Sequence, residues 1–206
     1  MAQEDKMEGK TQHIWCSVGI TKKMEDVFIG FVLNQAQGGA NITEYVVYLS
    51  TLGGSPFSAM NLYNFIKSIP QKTTAYNMGS VYSAGVPFFL SFDKRIGVPD
   101  CSFMIHQTTL PRTELPENFN GFDLETQGVV LSSIDAKTQK MILDETSSRA
   151  SKKLTASAIK KAALNTTVYG TDDALKHGFI DKVELPRLPS TDVLYITDQY
   201  LATLPG

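Results

Sequence analysis

Tyr45-Val46-Val47-Tyr48-Leu49 is apolar or aromatic at every position. A strand formed there has to be covered on both faces, which is the situation of a parallel strand inside an α/β layer. The flanking sequence agrees. Upstream, Met24, Val27, Phe28, Phe31 and Val32 recur at helical spacing and predict an amphipathic helix over Lys22 to Gln37, stopped by Gln37-Gly38-Gly39. His13 to Ile20 reads as a strand ahead of it. Downstream, Ser55 stands where an N-cap belongs, and Pro56 where the first turn tolerates a missing N–H. Ala59, Met60, Tyr63 and Ile66 give that helix its buried stripe.

The alternation continues. Thr73 to Met78 is strand-like and feeds a turn over Gly79 to Gly85, with a short buried helix from Ser83 to about Leu90. Ile96-Gly97-Val98 and Ser102-Phe103-Met104-Ile105 are further short strands. Leu110 to Phe122, rich in Pro, Glu, Asn and Gly, reads as an exposed loop. A long polar helix is expected over Leu124 to Ser148, turning Leu131, Ile134, Thr138, Met141 and Ile142 inward. Thr155 to Leu164 is another helix. A last one is capped by Thr171 and ended by Gly178, before Phe179 to Val183 returns to strand. With 206 residues, 42% of them hydrophobic, there is material for one good core. The expectation is α/β with a largely parallel sheet, in one domain spanning 1–206 with a frayed start over 1–10.

A net charge of -2, from 19 basic and 21 acidic residues, leaves no footprint for nucleic acid or an anionic membrane. No secretory leader opens the chain and no apolar run approaches 18 residues, so the expected location is cytoplasmic. Cys16 and Cys101 lie in apolar strand-like stretches and read as buried free thiols. No cluster of Cys, His and acidic residues has metal-ligand spacing, and no cofactor is expected. Gly9-Lys10-Thr11 resembles the end of a phosphate-binding loop, but Glu4 occupies the place of the first glycine and no strand precedes it.

Ser83 and His106 are the residues with chemistry to offer. Serine needs an adjacent base to act as a nucleophile at neutral pH, and that base needs a third group to orient it. Ser83 lies where a strand passes into a helix, followed by Ala84 and Gly85, small enough for a substrate backbone to approach. The Ala84 N–H is one candidate oxyanion donor, and Gly54, which opens another helix, supplies a second. Set against this, most serines in Gly-rich turns do no chemistry, so composition alone favours Ser83 as a small residue chosen for close helix packing, and Ser80 and Tyr82 are rival hydroxyls. His106 closes an apolar strand. His13 sits near the chain start and His177 in a helix's final turn, where a cation is favourable anyway.

Four blocks in order carry a resemblance: Thr51-Leu52-Gly53-Gly54-Ser55, Gly79-Ser80-Val81-Tyr82-Ser83-Ala84-Gly85, Met104-Ile105-His106-Gln107, and Ala174-Leu175-Lys176-His177-Gly178-Phe179-Ile180-Asp181-Lys182-Val183. Together they resemble the Clp protease proteolytic subunit family, within a wider structural group that includes the crotonase-type acyl-CoA enzymes. The resemblance implies a repeated β-β-α spiral with a protruding helix. It puts the nucleophile on Ser83, the general base on His106, and the oxyanion donors on the backbone N–H groups of Gly54 and Ala84. Peptide or unfolded-protein substrates, homo-oligomeric heptameric rings stacked in pairs, and feeding by an AAA+ ATPase are also implied. The handle through which rings meet falls on 124–148.

The departures are specific. The family's third triad member is an aspartate, and its position here falls on Thr166, beside Asn165. Asn165 could still hold a histidine tautomer, as in Cys-His-Asn enzymes, and Thr166 could do so weakly. Asp172 sits in the first turn of the last helix, while Asp123, Asp135 and Asp144 stay open as rearranged orienters. Leu52 stands where the family often has proline, and the loop after His106 is long. Three readings follow: a serine endopeptidase, a catalytically weak or inactive subunit that assembles with active ones, and a crotonase-like acyl-CoA enzyme.

Overall fold

The computed structural model describes residues 9–109, 121–190 and 192–205. In chain order these form β1 (Lys10–Ser17), α1 (Lys22–Gln37), β2 (Ile42–Thr51), α2 (Pro56–Ser68), β3 (Lys72–Tyr82), α3 (Gly85–Leu90), β4 (Lys94–Gly97) and β5 (Ser102–Ile105). Then come α4 (Gly121–Thr146), α5 (Ala156–Leu164), β6 (Thr167–Gly170), α6 (Thr171–Lys176), β7 (Lys182–Val183), β8 (Val193–Thr197) and α7 (Asp198–Thr203). Residues 1–8 of the expected frayed start and 110–120 of the expected exposed loop lie outside the described residues; Lys10 already belongs to β1 and Gly121 to α4.

The strands make one sheet in the order β6-β5-β3-β2-β1-β8, with β4 branching from β3 and carrying β7. Every pairing is parallel except β5 with β6. The protein is therefore α/β with a mixed, mostly parallel sheet and flanking helices, as expected. β2 is buried on both faces, from Tyr45 through Leu49. On one face Tyr45, Val47 and Leu49 belong to the core shared with Met24, Phe28 and Val32 of α1 and Ala59, Leu62 and Ile66 of α2. On the other, Tyr48 is covered by the rings of His13, Trp15 and Tyr76 stacked against it. Each large core side chain withdrawn from water in this way contributes about 1.5–3 kcal/mol.

β3 is the element that positions the site, and it differs from expectation. Instead of ending at Met78, it continues through Tyr82, because Ser80, Val81 and Tyr82 pair with Ser102, Phe103 and Met104 of β5. Its earlier half, Thr74 to Asn77, pairs with β4. Asn77, fully buried, bridges the fork by donating to Ser102 O at 2.9 Å and accepting from Gly79 N at 3.0 Å. The expected turn thus shrinks to Ser83-Ala84, and α3 starts at Gly85 with all of its residues buried.

Elsewhere, Ser55 caps α2 by accepting from Ser58 N, with Pro56 at the first helical position. Thr155 caps α5 in the same way. Thr171 does not cap α6. It is the first helical residue, after Gly170, and its hydroxyl donates to Cys101 O at 3.1 Å. Gly178 follows the C-cap His177, as anticipated. Phe179 and Ile180 pack into the core rather than forming strand, which leaves only Lys182 and Val183 paired, to β4. The long helix spans Gly121–Thr146 and is held at its far end by Glu145, whose carboxylate accepts from Tyr63 at 2.7 Å and pairs with Lys67 at 2.9 Å. Buried Arg95 donates to the Glu145 carbonyl at 2.8 Å. Cys16 and Cys101 are free and buried.

Candidate active site

The register of two parallel strands brings the serine and the histidine together. Tyr82 lies opposite Met104, so the next residues, Ser83 and then His106 one step beyond Ile105, leave the sheet at the same C-terminal edge. Crevices outside the carboxyl ends of parallel strands are where α/β proteins bind ligands. Here His106 Nε2 lies 2.6 Å from Ser83 Oγ. Both side chains are half-buried and line one cavity, together with Gly54, Ala84 and Asp135.

Ser83 is held in the left-handed region at φ 54. A non-glycine residue there costs about 1 kcal/mol or more and persists only when its surroundings fix it. Three contacts do so. Its N–H donates to Met104 O at 2.7 Å, its carbonyl accepts from Val86 N at 3.0 Å, and Gly53 presses against it from the β2–α2 turn. A Cβ on Gly53, itself at φ +98, would meet Ser83 Cβ at 2.7 Å and Tyr82 O at 2.8 Å. The neighbouring Gly54 is packed as tightly, with a virtual Cβ 2.2 Å from Ile20 O. That turn is pinned to β1's continuation by Ile20 N donating to Gly53 O and Ser55 N to Ile20 O, each at 2.8 Å. Neither the Gly54 N–H nor the Ala84 N–H has a hydrogen-bond acceptor among the described residues. Two unsatisfied main-chain donors on the cavity wall beside a hydroxyl are a chemically useful arrangement.

The far side of the imidazole is different. Among the described residues His106 Nδ1 has no hydrogen-bond partner. Asn165 and Thr166 are exposed at the end of α5, make no hydrogen bond to His106, and do not line the cavity. Thr166 adopts φ 50, an outlier for a β-branched residue. Asp172 is exposed in the first turn of α6, and Asp144 pairs with Lys140. Asp135 is the carboxylate that lines the cavity, and its Oδ1 accepts from Thr108 N at 2.9 Å. The signal for it lay in the helical phase, since Asp135 shares the inward stripe of Ile134 and Thr138. The rival groups are engaged elsewhere. Tyr82's hydroxyl meets Ser102 Oγ at 3.0 Å, His13 Nδ1 meets Tyr48's hydroxyl at 3.0 Å, and His177 Nδ1 meets Lys152 O at 2.7 Å.

Among the described residues no group of three His, Cys, Asp or Glu side chains could hold a metal ion. No helix among them is long and apolar enough to cross a membrane. A search of curated proteins finds no match. Among solved structures, an Asn-to-Asp mutant of ClpP1 from Listeria monocytogenes shares 16% sequence identity with a TM-score of 0.70, covering 85% of this chain and 92% of that chain. At that identity the likeness speaks for the fold. The family model of Clp protease matches residues 6–187. The chain belongs to the Clp protease family, the ClpP-like serine peptidases.

Proposed function

We propose that the protein is a serine endopeptidase that cuts peptide bonds through an acyl-enzyme on Ser83. The 2.6 Å contact between Ser83 Oγ and His106 Nε2 carries this reading. Ser83 Oγ attacks the scissile carbonyl carbon while His106 Nε2 takes its proton. The tetrahedral oxyanion accepts from Gly54 N and Ala84 N, each such donor contributing about 3 kcal/mol of transition-state stabilisation. Collapse breaks the C–N bond, and His106 returns the proton to the leaving amine. Water, deprotonated by the same imidazole, then hydrolyses the ester.

Among the described residues no hydrogen bond reaches His106 Nδ1, and this sets the expected pace. In Ser-His-Asp enzymes, replacing the aspartate by its amide lowers kcat by about 10⁴. Neither Asn165 nor Thr166 supplies a charge, so turnover is slow. The same observation favours a second reading, in which the chain is a weak or inactive subunit acting as an assembly partner for active ones.

The wider family picture extends the proposal. The substrate is an extended peptide or unfolded protein, handled in homo-oligomeric rings fed by an AAA+ ATPase. Residues 124–148 serve as the ring-to-ring handle, for which the exposed Leu124 and Val129 of α4 offer apolar surface. A reducing cytosol suits two free, buried thiols.

A fluorophosphonate or β-lactone probe is expected to label Ser83 in the assembled protein, and to label neither Ser83→Ala nor His106→Ala. Failure to label under conditions that label a family relative defeats the peptidase reading and leaves the assembly partner. Sedimentation and native mass spectrometry, with and without a triad-complete relative, then separate homomeric from mixed rings.

A further inference from the structure

We infer that Asp135 is the positioning residue of the imidazole, taking over the task that falls vacant at Thr166. This rests on the proposed Ser83–His106 chemistry and names the group that orients its base.

The chain leaves β5 at Ile105, so His106 stands on backbone outside the sheet. Among the described residues one hydrogen bond holds the backbone of 106–109, from Thr108 N to Asp135 Oδ1 at 2.9 Å. A carboxylate accepting a backbone N–H makes a charge-assisted bond, stronger than a neutral one. It ties the segment carrying the base to α4. That helix is itself fixed at its other end, where Glu145 meets Tyr63, Lys67 and Arg95. The segment carrying the imidazole is therefore referenced to the body of the protein through Thr108, Asp135 and α4.

Among the described residues that line the cavity, Asp135 is the carboxylate that shares it with His106.

Two substitutions separate the tether from the mere loss of a side chain. Asp135→Asn keeps an acceptor oxygen for the Thr108 N–H, whereas Asp135→Ala removes it. Amide exchange reports protection at Thr108, and the rate of probe labelling reports Ser83. Asp135→Ala is expected to lose Thr108 protection and slow labelling between about ten- and a hundred-fold, the usual scale for a misplaced catalytic group. Asp135→Asn is expected to restore both. Unchanged Thr108 protection and an unchanged labelling rate in Asp135→Ala overturn the inference. If wild-type Ser83 is never labelled but Thr108 protection is lost in Asp135→Ala and kept in Asp135→Asn, the peptidase reading falls and the positioning role stands.

Discussion

The two sides of the cavity are held by different numbers of independent contacts. On the serine side, strand pairing, the start of α3 and a glycine turn all converge on Ser83, and they keep it in a backbone conformation it would otherwise avoid. On the imidazole side, a strand of four residues ends, and beyond it one hydrogen bond to α4 holds the backbone among the described residues. Ser83 and the Gly54 and Ala84 N–H groups, the proposed nucleophile and oxyanion donors, are thus held by the sheet and its turns. The segment that carries His106, the proposed base, is an addition to that frame.

The sharpest way to break this contrast is to damage the rigid side. Gly54→Ala places a Cβ 2.2 Å from the Ile20 carbonyl, at φ +144, where neither group has room to give. The expected cost is about 3 kcal/mol, on the scale of overpacking combined with backbone strain. In a domain of this size that corresponds to a fall in Tm of roughly 5–10 °C. Gly53→Ala is expected to cost less stability but to push Ser83 directly, and so to abolish labelling in a protein that still folds. A Gly53→Ala variant with wild-type labelling would falsify the claim that this turn sets the nucleophile. The opposite intervention repairs the loose side. Thr166→Asp is expected to raise the labelling rate about ten-fold, well short of the roughly 10⁴ that a full triad aspartate supplies. No increase means that residue 166 does not reach the imidazole even when it carries a carboxylate.

The same asymmetry governs what could be read from sequence. Ser55-Pro56, the stripe of α1 and the apolar run of β2 are local patterns with one physical solution, and the structure follows them at Pro56–Ser68, Lys22–Gln37 and Ile42–Thr51. Local preference ends β3 at Met78, because Gly79 and Ser80 look like turn residues. Pairing with β5 across the fork, a long-range contact, overrides that local preference. Thr171 has the composition of a cap, yet an acceptor at Cys101 drew its hydroxyl away. β6, β8 and α7 are too short to show a period and owe their form to neighbours. At the site, the strand-to-helix position of Ser83 and the strand-end position of His106 were visible as candidates. That Asp135 reaches Thr108 was not, because it depends on where α4 crosses the end of β5. Sequence left Asp135 level with Asp123 and Asp144, and only coordinates say which of them meets the segment after β5.

The smallest effects come from two of the left-handed residues, Ser83 and Thr166, which test whether strain is maintained or merely tolerated. Comparing Ser83→Gly with Ser83→Ala removes the hydroxyl in both, so the difference isolates the backbone. Glycine is expected to be the more stable by about 1 kcal/mol, because it adopts φ 54 without a Cβ clash. Equal stabilities would mean that the serine side is less constrained than its contacts imply. Thr166 sits at φ 50 with a β-branched side chain and an exposed position. Thr166→Asn, an amino acid that tolerates this region, is expected to gain roughly 0.5 kcal/mol. Because asparagine brings no charge, its labelling rate should stay near wild type while Thr166→Asp rises. If both variants gain stability and neither changes the labelling rate, position 166 is only a helix terminus, and the orientation of His106 is left to α4 alone.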